Sequence, residues 1–179
     1  QWNYDYMGKY YLSADFRREG STRFYKDNRW GNFWSVSGSW LINRENWFNA
    51  DWVDFLKIRA SYGQAGNDGI SDGLYDDRFS LRNLLGDPSI KVDRKGARDI
   101  TWETNGTFDV AMDFELFGGR LGGTVEYFNR TTSDMLLSIA LALSSGYNDY
   151  LGNAGKMRTS GIEWNLRGDI IKTRKVTWS

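Results

Sequence analysis

Apolar or small residues occupy every second position from Tyr4 to Phe16, and mostly polar or charged residues lie between them. The apolar set is Tyr4, Tyr6, Gly8, Tyr10, Leu12, Ala14 and Phe16. A strand of this length would be about twice as long as the usual five or six residues of a soluble strand. A transmembrane β-strand needs about nine to eleven residues and alternates lipid-facing with lumen-facing side chains. The run therefore predicts one strand long enough to cross a membrane.

The same alternation returns along the rest of the chain. Further runs cover Trp34 to Ile42, Leu56 to Tyr62, Phe108 to Leu116, Leu121 to Arg130, Ile162 to Ile170 and the incomplete Val176 to Ser179. Phe117-Gly-Gly-Arg120 predicts a tight turn that joins two of these runs in a hairpin. We therefore predict six full strands and the start of a seventh.

The connections between the runs alternate in length, as in outer-membrane barrels with long extracellular loops and short periplasmic turns. On this interpretation residues 19–32, 64–99 and 133–155 lie outside the cell. Residues 44–54, 117–120 and 172–175 then lie in the periplasm. The predicted fold is all-β, part of a large antiparallel transmembrane β-barrel in which residues 1–179 form one barrel segment.

A soluble antiparallel sandwich is the alternative fold, because its strands also alternate and often have one solvated face. The repeated length of the runs and the near absence of charge or proline on their apolar positions argue against it. The chain has no apolar run of about eighteen residues, so helical membrane spans are excluded.

Composition narrows the possible chemistry. Lys plus Arg and Asp plus Glu balance at 23 each, which lacks the basic excess expected of a nucleic-acid binder. The absence of Cys and His removes thiolate catalysis, disulfides and the commonest general base. Aromatic residues make up 16% of the chain, an excess explained either by aromatic girdles or by carbohydrate binding.

Several long segments resemble the SusC/RagA family of TonB-linked outer-membrane proteins. They are Lys9 to Phe24, Asn28 to Trp40, Leu56 to Asn67, Thr101 to Glu103, Arg120 to Leu136 and Gly161 to Glu163. The resemblance implies a 22-stranded barrel in the outer membrane of a Gram-negative bacterium. It further implies TonB-powered import of oligosaccharides or peptides, without catalysis or a cofactor, under a SusD-like surface lipoprotein.

The family's plug domain and TonB-contacting segment would lie outside this chain. Because the alternation starts near Gln1 and a new run begins at Val176, we expect an internal piece of a longer protein. Two other functions stay open. One is a receptor or adhesin barrel without active transport, and the other is a soluble glycan-active β protein that uses carboxylates.

Aromatic residues in the predicted extracellular loops are the candidate substrate-binding residues. They are Phe24, Tyr25, Trp30, Tyr75, Phe79, Tyr147 and Tyr150. The competing interpretation is that they pack the loops together or contact the SusD-like cap. Lumen-facing carboxylates suggest a glycosidase, but a polar lumen needs such charges in any case, and we interpret them as structural.

The acidic, glycine-rich loop 67–77 is a weak calcium candidate, since spaced carboxylates suit a hard cation. The ligands would be Asp68, Asp72, Asp76 and Asp77. The spacing does not match an EF-hand, and loops of this composition are commonly just solvated.

Overall fold

The computed structural model describes residues 1–84, 86–147, 149–169, 171–172 and 177–178. The described residues form β-strands together with two single turns of 3₁₀ helix, Ile42–Arg44 and Leu143–Ser145. No helix in these ranges is long and apolar enough to cross a membrane. Ile170, residues 173–176 and residue 179, which belong to the last two predicted runs and their turn, lie outside the described residues.

Seven strands form one antiparallel sheet. They are β1 (Trp2–Tyr6), β2 (Tyr10–Gly20), β3 (Trp30–Leu41), β4 (Val53–Asn67), β7 (Glu103–Leu116), β8 (Leu121–Ser133) and β11 (Lys156–Gly168). They pair in the order β1-β2-β3-β4-β7-β8-β11, so each strand lies beside the next one in this series. Strand β4 has 15 residues and β8 and β11 have 13 each, which confirms that the strands are unusually long.

Three separate hairpins complete the described structure. They are β5 (Arg78–Leu84) with β6 (Asp87–Arg94), β9 (Leu136–Ala140) with β10 (Asp149–Asn153), and β12 (Ile171–Lys172) with β13 (Thr177–Trp178). The first two lie inside the predicted connections 64–99 and 133–155. The strands inside these two connections were not predicted.

The register of the sheet keeps the two kinds of alternating residue on opposite faces. One row across all seven strands joins apolar or small residues: Tyr4, Leu12, Gly38, Ala60, Val110, Tyr127 and Ile162. We call this side of the sheet the apolar face and the opposite side the polar face. Because side chains alternate along a strand, one continuous apolar face requires that the seven strands keep their registers in phase.

The apolar face has the height expected of a membrane band. On β7 it runs without interruption from Phe108 to Leu116. Eight steps of about 3.4 Å give about 27 Å along the strand. A tilt of about 40° reduces this length to about 21 Å, close to the ~25 Å band of outer-membrane barrels.

The first alternating run is a hairpin and not one strand, which corrects the prediction from Tyr4 to Phe16. Strand β1 ends at Tyr6, and β2 begins at Tyr10, its register partner. Met7 and Gly8 have φ angles of 54° and 62°, and the Lys9 amide donates to the Tyr6 carbonyl over 3.0 Å. Two successive positive φ angles identify a type I′ turn, which suits the twist of a hairpin.

The connections divide between the two ends of the sheet. Residues 7–9, 42–52 and 117–120 form the short-turn end, and residues 21–29, 68–102 and 134–155 form the long-loop end. Successive connections therefore lie at opposite ends of the sheet, but the predicted alternation in length is incomplete, because residues 42–52 form a longer connection than residues 21–29. The predicted hairpin at Phe117–Arg120 is also present, with Leu116 paired to Leu121.

The buried core is small and lies at the long-loop end. It consists of Phe24, Phe33, Ala97, Ile100 and Trp102. Large apolar side chains on the sheet's apolar face stay exposed, for example Tyr4 at 46% and Trp164 at 70%. In the described residues no second layer covers that face, which is the opposite of what a soluble sandwich requires.

Candidate functional site

The polar face carries a cluster of ions centred on Arg59. Its guanidinium lies 3.3 Å from Asp113 and 2.6 Å from Glu126. Thr124 also donates a 2.8 Å hydrogen bond to Asp113. Ala111 lies between Arg59 and Glu126 in the register, and its side chain is 2% exposed, so the arginine crosses above this small residue.

The ion pairs of Arg59 with Asp113 and Glu126 bear on the alternative of a glycan-active enzyme that uses carboxylates. Asp113 and Glu126 both accept charge-assisted hydrogen bonds from one guanidinium, which ties both carboxylates to a fixed cation. Arg167 and Glu115 form a further cross-strand pair on the same face. The arrangement is that of charges which satisfy one another in a polar wall, as the structural interpretation predicts.

A recess of about 560 Å³ opens beside this cluster. Small hydroxyl side chains line its base in one register row: Ser13, Ser37 and Ser61, followed by Asp109. The hydroxyls of Ser13 and Ser37 are 2.7 Å apart. The polar face therefore offers a shallow, hydrogen-bonding surface suited to water or to a polar molecule passing along it.

An aromatic core binds the three long-loop connections together. The Trp102 ring lies 5.2 Å from Phe24 and 5.4 Å from Phe33, measured between ring centroids. The Trp102 indole also donates a 3.1 Å hydrogen bond to the Arg29 carbonyl. Ile100 is 1% exposed against the same cluster.

Two asparagines add hydrogen bonds between these connections. Asn28 donates to the carbonyls of residues 98–100 over 3.2–3.4 Å. Asn153 donates to the carbonyls of Thr101 and Asp134 over 2.9 and 2.7 Å, and accepts from the Thr101 amide over 2.8 Å. The long-loop end is therefore a packed unit.

Phe24 requires a correction to the candidate substrate-binding set. Its side chain is 0% exposed, so it has no free ring face to offer a ligand. The burial follows from contact with Trp102, which lies 78 positions later in the chain. Phe24 is a core residue of the long-loop end.

Tyr25 and Tyr75 are brought together at the long-loop end. Their ring centroids are 6.0 Å apart. The Arg98 guanidinium and the Lys26 ammonium lie over the Tyr25 ring at 5.4 and 5.7 Å. These two tyrosines are half-buried, and cation–π contacts already engage Tyr25.

The other candidate aromatics are dispersed. Trp30 is 60% exposed on the apolar face, with the Arg18 guanidinium 4.9 Å from its ring. Phe79 is 57% exposed on the β5–β6 hairpin, whereas Tyr150 is half-buried against the aromatic core. Tyr147 is half-buried near the 3₁₀ turn before β10. The structure thus does not gather the seven residues into one stacking platform.

Arginine and serine side chains bind two of the four calcium candidates. Arg23 lies 3.4 Å from Asp68 and 3.4 Å from Asp72. Ser21 donates a further 2.8 Å hydrogen bond to Asp68. These contacts link the first long-loop connection to the second and occupy oxygens that a cation would need.

The other two calcium candidates lie in separate contacts. Asp76 is 4.0 Å from Arg98, and Asp77 accepts a 2.8 Å hydrogen bond from the Gly96 amide. Across the described residues no group of three or more acidic side chains is arranged to hold a metal ion. The predicted calcium ligands are therefore not brought together.

Glu45, at the short-turn end, accepts three hydrogen bonds that the sequence pattern did not indicate. Tyr10 donates over 2.7 Å, Trp40 over 3.0 Å and Lys9 over 3.1 Å. The hydrogen bonds from Tyr10, Trp40 and Lys9 lower the pKa of the Glu45 carboxyl to about 2, against the opposing effect of burial. Hydrogen bonding to the ionised form favours that form.

A series of aromatic ring contacts on the apolar face follows β1 to Tyr10 and Trp40, the two rings that donate hydrogen bonds to Glu45. Successive contacts at 5.8–6.5 Å link Trp2, Tyr4, Tyr6, Tyr10, Trp40 and Trp47. Trp52 and Phe117 stack at 5.9 Å beside them at the short-turn end. The aromatic rings at the short-turn end lie where a membrane girdle is expected, since rings at an interface have both an apolar and a wet neighbour.

The comparisons with known proteins agree with this geometry. The family model described as "TonB dependent receptor-like, beta-barrel" matches residues 1–179. The chain belongs to this TonB-dependent receptor β-barrel family. The resemblance of its segments to the SusC/RagA proteins is thereby confirmed.

Curated relatives match this TonB-dependent receptor segment over nearly its whole length. TonB-dependent receptor SusC of Bacteroides thetaiotaomicron is 30% identical over 186 residues. TonB-dependent receptor P39 of Formosa agariphila is 31% identical over 181 residues. Each alignment covers 98% of this chain but only 17–18% of the relative. The chain thus spans less than a fifth of the length of these relatives.

Solved structures of the family have the same sheet. The RagAB peptide importer matches in its "closed-closed" and "open-open" states, each with a TM-score of 0.86 and 27% identity. Each match covers 96% of this chain and 19% of the importer chain. The siderophore receptor PirA of Pseudomonas aeruginosa matches with a TM-score of 0.57 and 15% identity, which reflects the fold alone.

Proposed function

We propose that this chain forms part of the barrel wall of a TonB-dependent importer in the outer membrane of a Gram-negative bacterium. The importer takes up oligosaccharides or peptides through the barrel without changing them chemically. The observation that carries this proposal is the match to the RagAB peptide importer across 96% of the chain. The uncovered apolar face supports it, because a lipid bilayer supplies the missing contact layer.

In this proposal each face of the sheet has its own role. The apolar face contacts lipid, and the polar face lines the lumen with hydroxyls and paired charges. Ser13, Ser37 and the ions around Arg59 provide weak, repeated hydrogen bonding. A passing substrate needs such binding to be easily reversed. The wall therefore guides the substrate, and the required chemistry is binding and release.

The proposal places the long-loop end outside the cell, under a SusD-like lipoprotein. The β5–β6 hairpin supports contact with such a partner, because its apolar side chains lack cover. Phe79, Leu81 and Ile90 are 57%, 83% and 71% exposed, and register pairing puts Leu81 directly opposite Ile90. Exposed apolar surface of this kind is typical of a protein–protein contact.

The test is uptake by cells that carry the full-length protein, with and without a functional TonB. Labelled peptides and labelled oligosaccharides are supplied in parallel, and cells lacking the protein are the control. We expect accumulation of one substrate class that disappears when TonB is removed. Surface binding that persists without accumulation in either strain would instead identify a receptor or adhesin.

A further inference from the structure

Charges are segregated between the two faces of the seven-stranded sheet. The register places the carboxylates of these seven strands on the polar face, with Asp54 as the exception. Asp54 lies at the bulge that begins β4, where its carboxylate accepts a hydrogen bond from the Gly119 amide. The apolar face has cations on its strands at three described positions: Arg18, Lys156 and Arg158. All three lie in the rows nearest the long-loop end. The lipid-facing surface is therefore basic at that end.

Two of these cations border a recess of about 500 Å³ on the apolar face. Its lining comes from four adjacent strands: Tyr62, Gln64, Thr104, Gly106, Phe108, Asn129, Thr131, Ser133, Lys156 and Arg158. Gly106 lies in the same register row as Gln64 and Thr131, and it adds no side chain there. The missing side chain leaves space at the centre of the row.

The recess combines positive charge with neutral hydrogen-bond donors. Asn129 accepts a 3.1 Å hydrogen bond from Arg158 Nε, which orients the guanidinium. Lys156, two positions earlier on β11, places an ammonium on the same face. The described lining has no carboxylate that would neutralise these cations. Guanidinium and ammonium groups of this kind bind phosphate through charge-assisted hydrogen bonds.

The recess opens directly onto the apolar band. Phe108 lies at the lower edge of the recess and is 40% exposed, and Tyr127 and Ile162 follow in the next row toward the short-turn end. A ligand that fits both parts has an anionic head and an apolar tail. Charge complementarity and the adjoining band together indicate an anionic membrane lipid.

We propose that this recess binds the phosphorylated headgroup of an outer-leaflet lipid, with acyl chains along the band below Phe108. The inference rests on the proposed function, which puts the long-loop end in the outer leaflet. Lys156 and Arg158 bind the phosphate, and the side chains of Asn129, Thr131 and Ser133 add hydrogen bonds. The site fixes the depth and rotation of this part of the wall in the membrane.

The test measures lipid binding to the full-length protein in detergent by native mass spectrometry. The probe is lipid A with two phosphates, and diacylglycerol serves as a lipid without phosphate. The variant is the double substitution K156Q and R158Q, and the matched control is R18Q, which removes a cation at the same end outside the recess. Inorganic phosphate is added separately to distinguish a lipid site from a site for small anions.

We expect the double variant to bind lipid A about twenty-five-fold more weakly, because each of the two cations contributes about a fivefold factor to binding an anionic lipid. R18Q should stay within about twofold of the unmodified protein, because Arg18 does not line the recess. Equal binding of lipid A and diacylglycerol, or no loss in the double variant, would overturn the site. Displacement of lipid A by millimolar inorganic phosphate would also overturn it.

Failure of the site and failure of the proposed function give different results. One outcome is a protein that inserts in membranes and imports substrate but binds lipid A no better than diacylglycerol. Such a protein lacks only the lipid site. A protein that dissolves without detergent contradicts the barrel itself. The double variant should extract and fold like the unmodified protein, since both side chains are exposed.

Discussion

Replacing Phe24 with alanine tests the role of the aromatic core at the long-loop end. The Phe24 side chain is fully buried and its ring lies 5.2 Å from Trp102. A buried Phe→Ala change costs about 3–5 kcal/mol through lost transfer energy and the cavity left behind. At about 1.4 kcal/mol per factor of ten, local opening becomes more frequent by about two to three and a half powers of ten.

Amide hydrogen exchange in the full-length protein measures this opening. The reporters are the Ala97 amide, bonded to the Leu74 carbonyl at 2.9 Å, and the Thr101 amide, bonded to Asn153 at 2.8 Å. We expect both to exchange at least a hundredfold faster in F24A, because local opening exposes them. Amides in the paired middle of β4 and β7 should not change.

The matched control is F79A, since Phe79 is 57% exposed and contributes little to the core. Its exchange pattern should match that of the unmodified protein. A change of less than tenfold at Ala97 and Thr101 in F24A would refute the core role. Weaker substrate binding with unchanged exchange would return Phe24 to the substrate-binding residues.

Three further predictions concern the short-turn end and the polar face. Glu45 stabilises the fold above its ordinary pKa near 4.5, and this stability is lost as pH falls toward about 2. Thermal melting should show this loss of stability between pH 5 and 2, and the E45Q variant should lose less stability over the same range. The larger side chain of A111L should force Arg59 away from Glu126 and lower the free energy of unfolding of the barrel by about 1–3 kcal/mol in a urea unfolding assay. The A111S variant should leave this free energy unchanged. M7N should stabilise the type I′ turn by a few tenths to about 1 kcal/mol in the same unfolding assay, since asparagine tolerates the positive φ better; a loss of stability would contradict the turn assignment.

The alternating pattern predicted the faces of the sheet well and the first strand boundary poorly. The turn at residues 7–9 has three residues, so even-numbered positions stay on one face on both sides of it. Periodicity alone therefore cannot detect this turn. A local signal was present, because Asp5 accepts a 2.8 Å hydrogen bond from the Gly8 amide and both residue types favour turns.

The long-loop end was the least predictable region. Phe24 is a lone aromatic in a polar connection, and its burial depends on Trp102 far along the chain. No local pattern carries that information. The β5–β6 hairpin did have a signal, since Phe79 and Leu81 alternate with Ser80 and Arg82, but the surrounding glycines and aspartates favoured a loop.

The hydrogen bonds at the long-loop end set few limits on the sequence of the loops that they hold. Asn28 donates to three successive backbone carbonyls, and Asn153 and Trp102 also donate to main-chain oxygens. Every residue type supplies a carbonyl, so these anchors impose no requirement on the side chains of the loop they hold. Such a loop can exchange its exposed residues while its path over the barrel stays the same. In the proposed importer, selectivity can therefore change through these exposed residues while the backbone path of the loop is kept.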